Sequence, residues 1–256
     1  PVLLSDARHR LDRHRRDLPL GLDLEARAVA RIRTFRVEFS MVPNILLGSY
    51  LIFWAALSRA PLDPDNWVLA SILPLTFVGG LVLGRRALPL SSVSYALIAG
   101  FLALHTVGAH YTYSQVPLGQ WLQTTFELER NDFDRLVHFA FGLCLTYPLL
   151  EVFGRLVRTR RLLLFYLVVM TQLALAGAWE MIEAAVAQIT RPDLGIAFVG
   201  AQGDPWDAQH DMLAATLGTV VALLVSASIS WLARRGPVEE LARLGEAPVT
   251  STQGNG

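Results

Sequence analysis

The stretch Leu162-Leu-Leu-Phe-Tyr-Leu-Val-Val-Met-Thr-Gln-Leu-Ala-Leu-Ala-Gly-Ala-Trp-Glu-Met-Ile-Glu183 runs from Leu162 to Trp179 without a charge, then places two glutamates three positions apart. Crossing the hydrocarbon core of a bilayer, roughly 30 Å thick, takes about 20 mostly apolar helical residues. Five more runs of that kind flank it. Together they lie near Met41 to Leu57, Trp67 to Leu83, Val93 to Tyr111, Leu136 to Phe153, Leu162 to Ile189 and Met212 to Leu232. A lipid-facing β-barrel strand would alternate polar and apolar residues, whereas these runs are apolar at nearly every position, and helices satisfy their backbone internally. The expected fold class is all-α, a polytopic membrane helix bundle of about six transmembrane helices.

Composition agrees. The chain is 53% hydrophobic and 17% charged, with a mean hydropathy of +0.40, too apolar for a soluble protein of 256 residues. All 22 basic residues are Arg, and their placement carries information. Arg31, Arg33 and Arg36 precede the first span, Arg85 and Arg86 follow the second, Arg155 to Arg161 follow the fourth, and Arg234 and Arg235 follow the sixth. The positive-inside rule puts these clusters in the cytoplasm, giving an N-in/C-in topology. Connections 58–66, 112–135 and 190–211 are sparse in Arg and rich in acids, as translocated loops should be.

The chain divides into three regions: an Arg-rich cytoplasmic arm over 1–36, a transmembrane domain over 37–235, and a disordered cytoplasmic tail over 236–256. The arm has no apolar stretch of the signal-peptide kind, so insertion is expected to use the spans. Cys144 is the single cysteine and lies inside a span, which excludes an intrachain disulfide and a cysteine-based zinc cage. No internal repeat of the transporter kind is visible. Ser91, Ser92, Ser94 and the Gly79-Gly80 pair read as a helix start and as close helix packing.

Ionisable groups in spans cost about 2.5–3.5 kcal/mol each at the bilayer centre on insertion scales, so a cluster of them needs a reason. The third span carries His105 and ends in His110-Tyr111-Thr112-Tyr113; the fourth opens Asn131-Asp132-Phe133-Asp134-Arg135-Leu136-Val137-His138. The fifth contains Glu180 and Glu183, and Gly203-Asp204-Pro205-Trp206-Asp207-Ala208-Gln209-His210-Asp211 leads into the sixth. At a rise of 1.5 Å per residue, His138 lies about 25 Å from Arg155, Glu180 about 27 Å from Leu162 and Asp211 about 35 Å from Arg234. One layer near the outer boundary can hold them all. Asp134 with His138, Glu180 with Glu183, and Asp207 with Asp211 each share a helix face. Helix bundles build metal sites from facing acids and histidines in this way. The expected metal ligands are therefore His110, Asp134, His138, Asp207 and Asp211, and the expected catalytic acids Glu180, Glu183 and Asp204.

The other reading is interfacial. Asp132, Asp204 and Asp207 stand where helix capping would suffice, and Arg130, Arg135 or Arg191 could neutralise acids. Capping fails for Glu180 and Glu183, at the C-terminal end of their helix, where the dipole disfavours negative charge.

The strings His105-Thr-Val-Gly-Ala-His-Tyr-Thr-Tyr-Ser114, Arg130-Asn-Asp-Phe-Asp-Arg-Leu-Val-His-Phe139 and Gln202-Gly-Asp-Pro-Trp-Asp-Ala-Gln-His-Asp-Met212 resemble the YjdF family of bacterial inner-membrane proteins. The resemblance covers roughly Arg85 to Leu232, with Ala201 standing where Thr is expected. A fainter likeness, over Asp134 to Phe139, Glu180 to Glu183 and Asp207 to Gly218, is to VanZ-like membrane proteins. These resemblances imply a helical fold, an inner-membrane location and an envelope connection, and they supply no reaction.

Three functions compete. The first is a membrane-embedded, metal-dependent enzyme acting on a lipid-linked or envelope substrate, since carboxylates with one or two histidines suit Zn, Mg or Mn. The second is a proton-coupled transporter or channel; against it, the inner halves of the spans offer only Thr146, Thr171, Gln172 and scattered Ser. The third is a non-enzymatic structural membrane factor. Membrane lipid is the expected partner, no nucleic acid is expected, and the oligomeric state is open.

Overall fold

The computed structural model describes residues 41–157 and 159–245, with side chains as far as residue 231. The expected arm over 1–36 and residues 246–256 of the expected tail lie outside the described residues, while 236–245 is helical backbone. Two compact units divide after Gly48, and the helix bundle belongs to the one that begins at Ser49.

Every regular element among the described residues is a helix: α1 (Met41–Leu57), α2 (Pro64–Gly84), α3 (Ser92–His110), α4 (Pro117–Thr125), α5 (Phe133–Leu156), α6 (Arg161–Ile189), α7 (Pro192–Val199) and α8 (Asp207–Gly245). Five of them, α2, α3, α5, α6 and α8 as far as Trp231, are long and apolar enough to cross a membrane. The first expected span, Met41–Leu57, is an apolar helix below that length.

Local sequence sets the helix ends. Asp63 caps α2 by accepting from the backbone N–H of Asp65 at 2.9 Å and Asn66 at 3.1 Å, with Pro64 in the first turn, where its missing N–H costs nothing. Ser91 caps α3 through Ser94 N–H at 3.2 Å, as expected of a helix start. Glu151 of α5 locks the same corner, accepting from Ser91 N–H at 2.8 Å and Ser94 Oγ at 3.0 Å. The short helices α4 and α7 also begin at prolines, inside segments read as plain connections.

The most extensive packing is α5 on α8, followed by α3 on α5 and by α6 on α8; α7 sits on α6 and α2, and α2 on α3. Where α5 crosses α8, Gly142 and Gly218 bring the two backbones together. A Cβ on Gly142 would run into the Ala215 carbonyl, and one on Gly218 into the Phe139 carbonyl. Small residues at such crossings substitute for the hydrophobic drive that lipid removes. The glycines expected to do this, Gly79 and Gly80, do not: among the described residues a Cβ on either meets nothing within 4 Å. The core gathers Tyr50, Phe101, Leu102, Phe133 and Val137, while Leu83, Leu162 and Ile229 stand exposed on the spans, as side chains bathed by lipid should.

Candidate functional site

The first turns of α5 and α8 meet α6 near Glu180 and Glu183, about two turns before that helix ends at Ile189, rather than at its C-terminus as expected. The N-termini of α5 and α8 both point there, and their dipoles favour the carboxylates in their first turns. Asp134, His138, Glu183, Asp207 and Asp211 are all buried. One donor atom each from Asp134, His138 and Asp211 lie within 4.8 Å of one another. His138 Nε2 stands 3.8 Å from Asp134 Oδ1 and 3.5 Å from Glu180 Oε1.

The acids fall into two groups. Asp132, Asp204 and Asp207 are paired with arginine. Arg130, 7% exposed, holds Asp207 through Nη1 and Asp132 through Nε at 3.4 Å, and donates to the carbonyls of Ala201 at 3.0 Å and Gly200 at 3.4 Å. Arg135 reaches Asp132 at 3.0 Å and Asp204 at 2.5 Å. Asp134, Glu180, Glu183 and Asp211 have no arginine at ion-pair distance among the described residues, and they lie close enough to feel one another's charge. Asp211 is 1% exposed and its Oδ1 has no hydrogen-bond donor; neither has the buried Oε1 of Glu180. An orphaned buried carboxylate oxygen costs on the order of 1–3 kcal/mol, more for a charged group, so these atoms call for a proton or a cation.

Three expected site residues take other partners: Asp207, expected as a metal ligand, is paired with Arg130 and is not among the residues whose donor atoms converge, and two more are placed elsewhere. His110 donates from Nδ1 to the Leu57 carbonyl at 2.9 Å and meets Trp67 edge-on, and it is not among the residues whose donor atoms converge. The reason is helical: five residues separate it from His105, about 140° around α3, so the two histidines face opposite sides. Asp204 is committed to the loop before α8, accepting from Trp206 N–H at 2.9 Å and from His210 Nδ1 at 2.8 Å in addition to Arg135. The Trp206 N–H first, then His210, hold its carboxyl below the ordinary carboxylate range. Arg191 pairs with Asp65 at 2.6 Å, away from the cluster acids.

Tyr113 was not legible from the sequence. Thr112 and Tyr113 both adopt left-handed backbone, φ 57° and 53°, uncommon for residues with a side chain. This turn lays the Tyr113 ring over Gly108, where a Cβ would stand 2.7 Å from it. The hydroxyl lies 2.5 Å from His105 Nδ1, and His105 Nε2 lies 3.0 Å from the Ala70 carbonyl. A carbonyl only accepts, so Nε2 carries the proton and Nδ1 accepts from Tyr113. Burial first, then Asp134 and Glu183, lift the phenol well above its ordinary value and keep it a donor.

The match to known proteins falls on this region. Residues 42–231 match the family described as predicted membrane protein (DUF2238). The inner membrane protein YjdF of Escherichia coli (strain K12) is 36% identical over 167 residues, which cover 63% of this chain and 78% of that relative. No solved structure is significantly similar. With its apolar spans, the chain is a multi-pass protein of the inner membrane. On these matches, over most of its length, the chain belongs to the DUF2238 family of membrane proteins, which resembles YjdF.

Proposed function

We propose that this protein is a membrane-embedded enzyme that holds a divalent cation with Asp134, His138 and Asp211 and acts, at the extracytoplasmic face, on a lipid-linked or envelope substrate. The observation that carries the reading is the orphaned Oδ1 of the fully buried Asp211, beside a carboxylate and an imidazole whose donor atoms lie within 4.8 Å. Two hard carboxylates with one imidazole suit Zn, Mn or Mg. Bound there, such a cation supplies Lewis acidity toward a phosphoryl or carbonyl oxygen. Glu180, with Oε1 free of donors and 3.5 Å from His138, is the group to accept a proton from an attacking water. Asp207 and Arg130 hold the loops that close over the cluster, and Asp204 acts with them. The Arg asymmetry of the loops supports the outward placement.

A second reading, a structural ion network, is favoured by the buried Arg130–Asp207 pair. The transporter reading has less support: beyond His138, Gln172 donates to the Gly142 carbonyl at 3.3 Å and to Thr146 Oγ1 at 3.4 Å, so these polar groups tie α6 to α5. The test is metal content of the full chain purified in detergent, with and without Asp211→Asn and Glu180→Gln. The enzyme reading expects stoichiometric metal, lost in Asp211→Asn, and a fall in Tm on adding chelator. Metal-free protein that ignores chelator, with the amide variants neutral or stabilised, transfers the cluster to the structural reading.

A further inference from the structure

A cleft of about 240 Å³ opens beside the acid and histidine cluster, among α2, α3, α5 and α6. Asp134 and His138 of the cluster line it, together with His105 and Tyr113, while the surface it presents is otherwise apolar, with Phe101, Phe141 and Leu145 among its walls. Along α5 it runs from Asp134 to Leu145, eleven residues or about 16 Å, close to half of a hydrocarbon core of about 30 Å. Three wall residues, Leu73 of α2 and Leu175 and Ile182 of α6, are 37%, 47% and 48% exposed on spanning helices. Neither α2 nor α3 is a main packing partner of α6, and the cleft lies along that seam. Its exposed rim thus lies on helices long and apolar enough to cross a membrane.

We infer that this cleft takes one hydrocarbon chain of a phosphate-bearing lipid from the surrounding bilayer, with the phosphate at the Asp134–His138 end. The depth of one leaflet fits a chain that enters from that leaflet. An apolar cavity excludes water, whereas a chain moving in from the bilayer gives up no hydration. The head rests on the proposed cation, because a phosphate meets carboxylates at that end only through a cation; the tail does not rest on it. A phosphate-bearing lipid is then the substrate class of the proposed enzyme.

The test is photolabelling of the full chain in nanodiscs containing phosphatidic acid with a diazirine near the end of one acyl chain, and diacylglycerol bearing the same chain as the comparison. Label from phosphatidic acid is expected on Phe141, Leu145 and Leu175, at least fivefold above diacylglycerol. Leu175→Trp, which plugs the rim, should cut it at least fivefold with metal content unchanged, while Ile229→Trp, on the exposed face of α8, leaves it alone. Ile182→Trp serves if Leu175→Trp does not fold. Label spread evenly over lipid-exposed residues and indifferent to the rim variants overturns the inference, as does equal cleft labelling by diacylglycerol. Phosphate-dependent, rim-sensitive label on metal-free protein supports the lipid site and sinks the cation; stoichiometric metal with no cleft label does the reverse.

Discussion

Gly142→Ala should damage the candidate site from a full helical turn away. The added Cβ would meet the Ala215 carbonyl and stand 2.8 Å from Thr219 N, both backbone atoms of α8 that no rotamer change can move. Restoring an ordinary carbon-to-oxygen separation of about 3.3–3.6 Å pushes the helices apart by more than about 1 Å. Overpacking of this kind costs about 1–3 kcal/mol. At about 2–4 °C per kcal/mol for a chain of this size, Tm falls by about 2–12 °C. The crossing lies about 6 Å along α5 from His138 and about 10 Å along α8 from Asp211, so most of the displacement reaches the proposed ligand set, which as a metal site would tolerate only about 0.2 Å. Cation affinity should drop about 10- to 100-fold, the range seen when the support of a ligand is lost. The assay is thermal unfolding of detergent-solubilised protein over a titration with Zn or Mn, with Gly79→Ala as the control, since a Cβ there meets nothing. A Gly142→Ala protein that melts and binds like the parent would refute the claim that this crossing sets the spacing of the α5 and α8 ligands.

Arg130→Ala strands Asp207 in a buried site and should cost about 3–5 kcal/mol, read as loss of folded protein on heating, with part recovered in the Arg130→Ala, Asp207→Ala double variant. The Asp204 clamp has a depressed folded-state carboxyl value, so its contribution is present above the unfolded value of about 3.9 and is lost only as pH falls through the lower folded value. The Tm difference between the parent and Asp204→Asn should hold from pH 7 to 5 and shrink below about pH 4; a difference that fades between pH 7 and 5 assigns the clamp elsewhere. Cysteine labelling in a Cys144-free background should find positions 85 and 160 on the cytoplasmic side and positions 120 and 188 outside. Labelling of position 120 only after membrane disruption inverts the topology.

The spans were legible because membrane helices advertise themselves: α6 and α8 are apolar on every face, and their limits moved by only a few residues at most points. The convergence of Asp134, His138 and Asp211 was also legible, since i, i+4 spacing and distance from the nearest Arg cluster fix face and depth together. His110 was misplaced because depth alone admits it, and only the turn of α3 relative to His105 sends it toward Trp67. Gly79-Gly80 and Gly142 look alike in sequence; which glycine meets a backbone depends on which helices are neighbours. Tyr113 was hidden by a turn whose left-handed φ values no residue type there announces. For α4 and α7, Pro117 and Pro192 at first helical positions were a readable signal.

Asn131 and Gln202 exchange two hydrogen bonds, Asn131 N–H to Gln202 Oε1 at 3.0 Å and Gln202 Nε2 to the Asn131 carbonyl at 2.9 Å, so a side-chain amide pairs with a backbone as a neighbouring strand would. Asn131 also donates to the Val116 carbonyl at 3.1 Å and accepts from Phe133 N–H at 3.1 Å. Every partner that closes over α5 from the α8 side arrives about 70 residues later in the chain. During synthesis, at roughly 5–20 residues per second, Arg130 and the Asn131 backbone therefore wait several seconds for Asp207, Ala201 and Gln202. A nascent chain halted before Gln202 presents a half-built polar surface within the bilayer, the kind of surface that membrane quality control recognises. If the arrival of α8 completes this surface, truncations ending before residue 202 should be degraded in the membrane, while chains extended to residue 231 should accumulate.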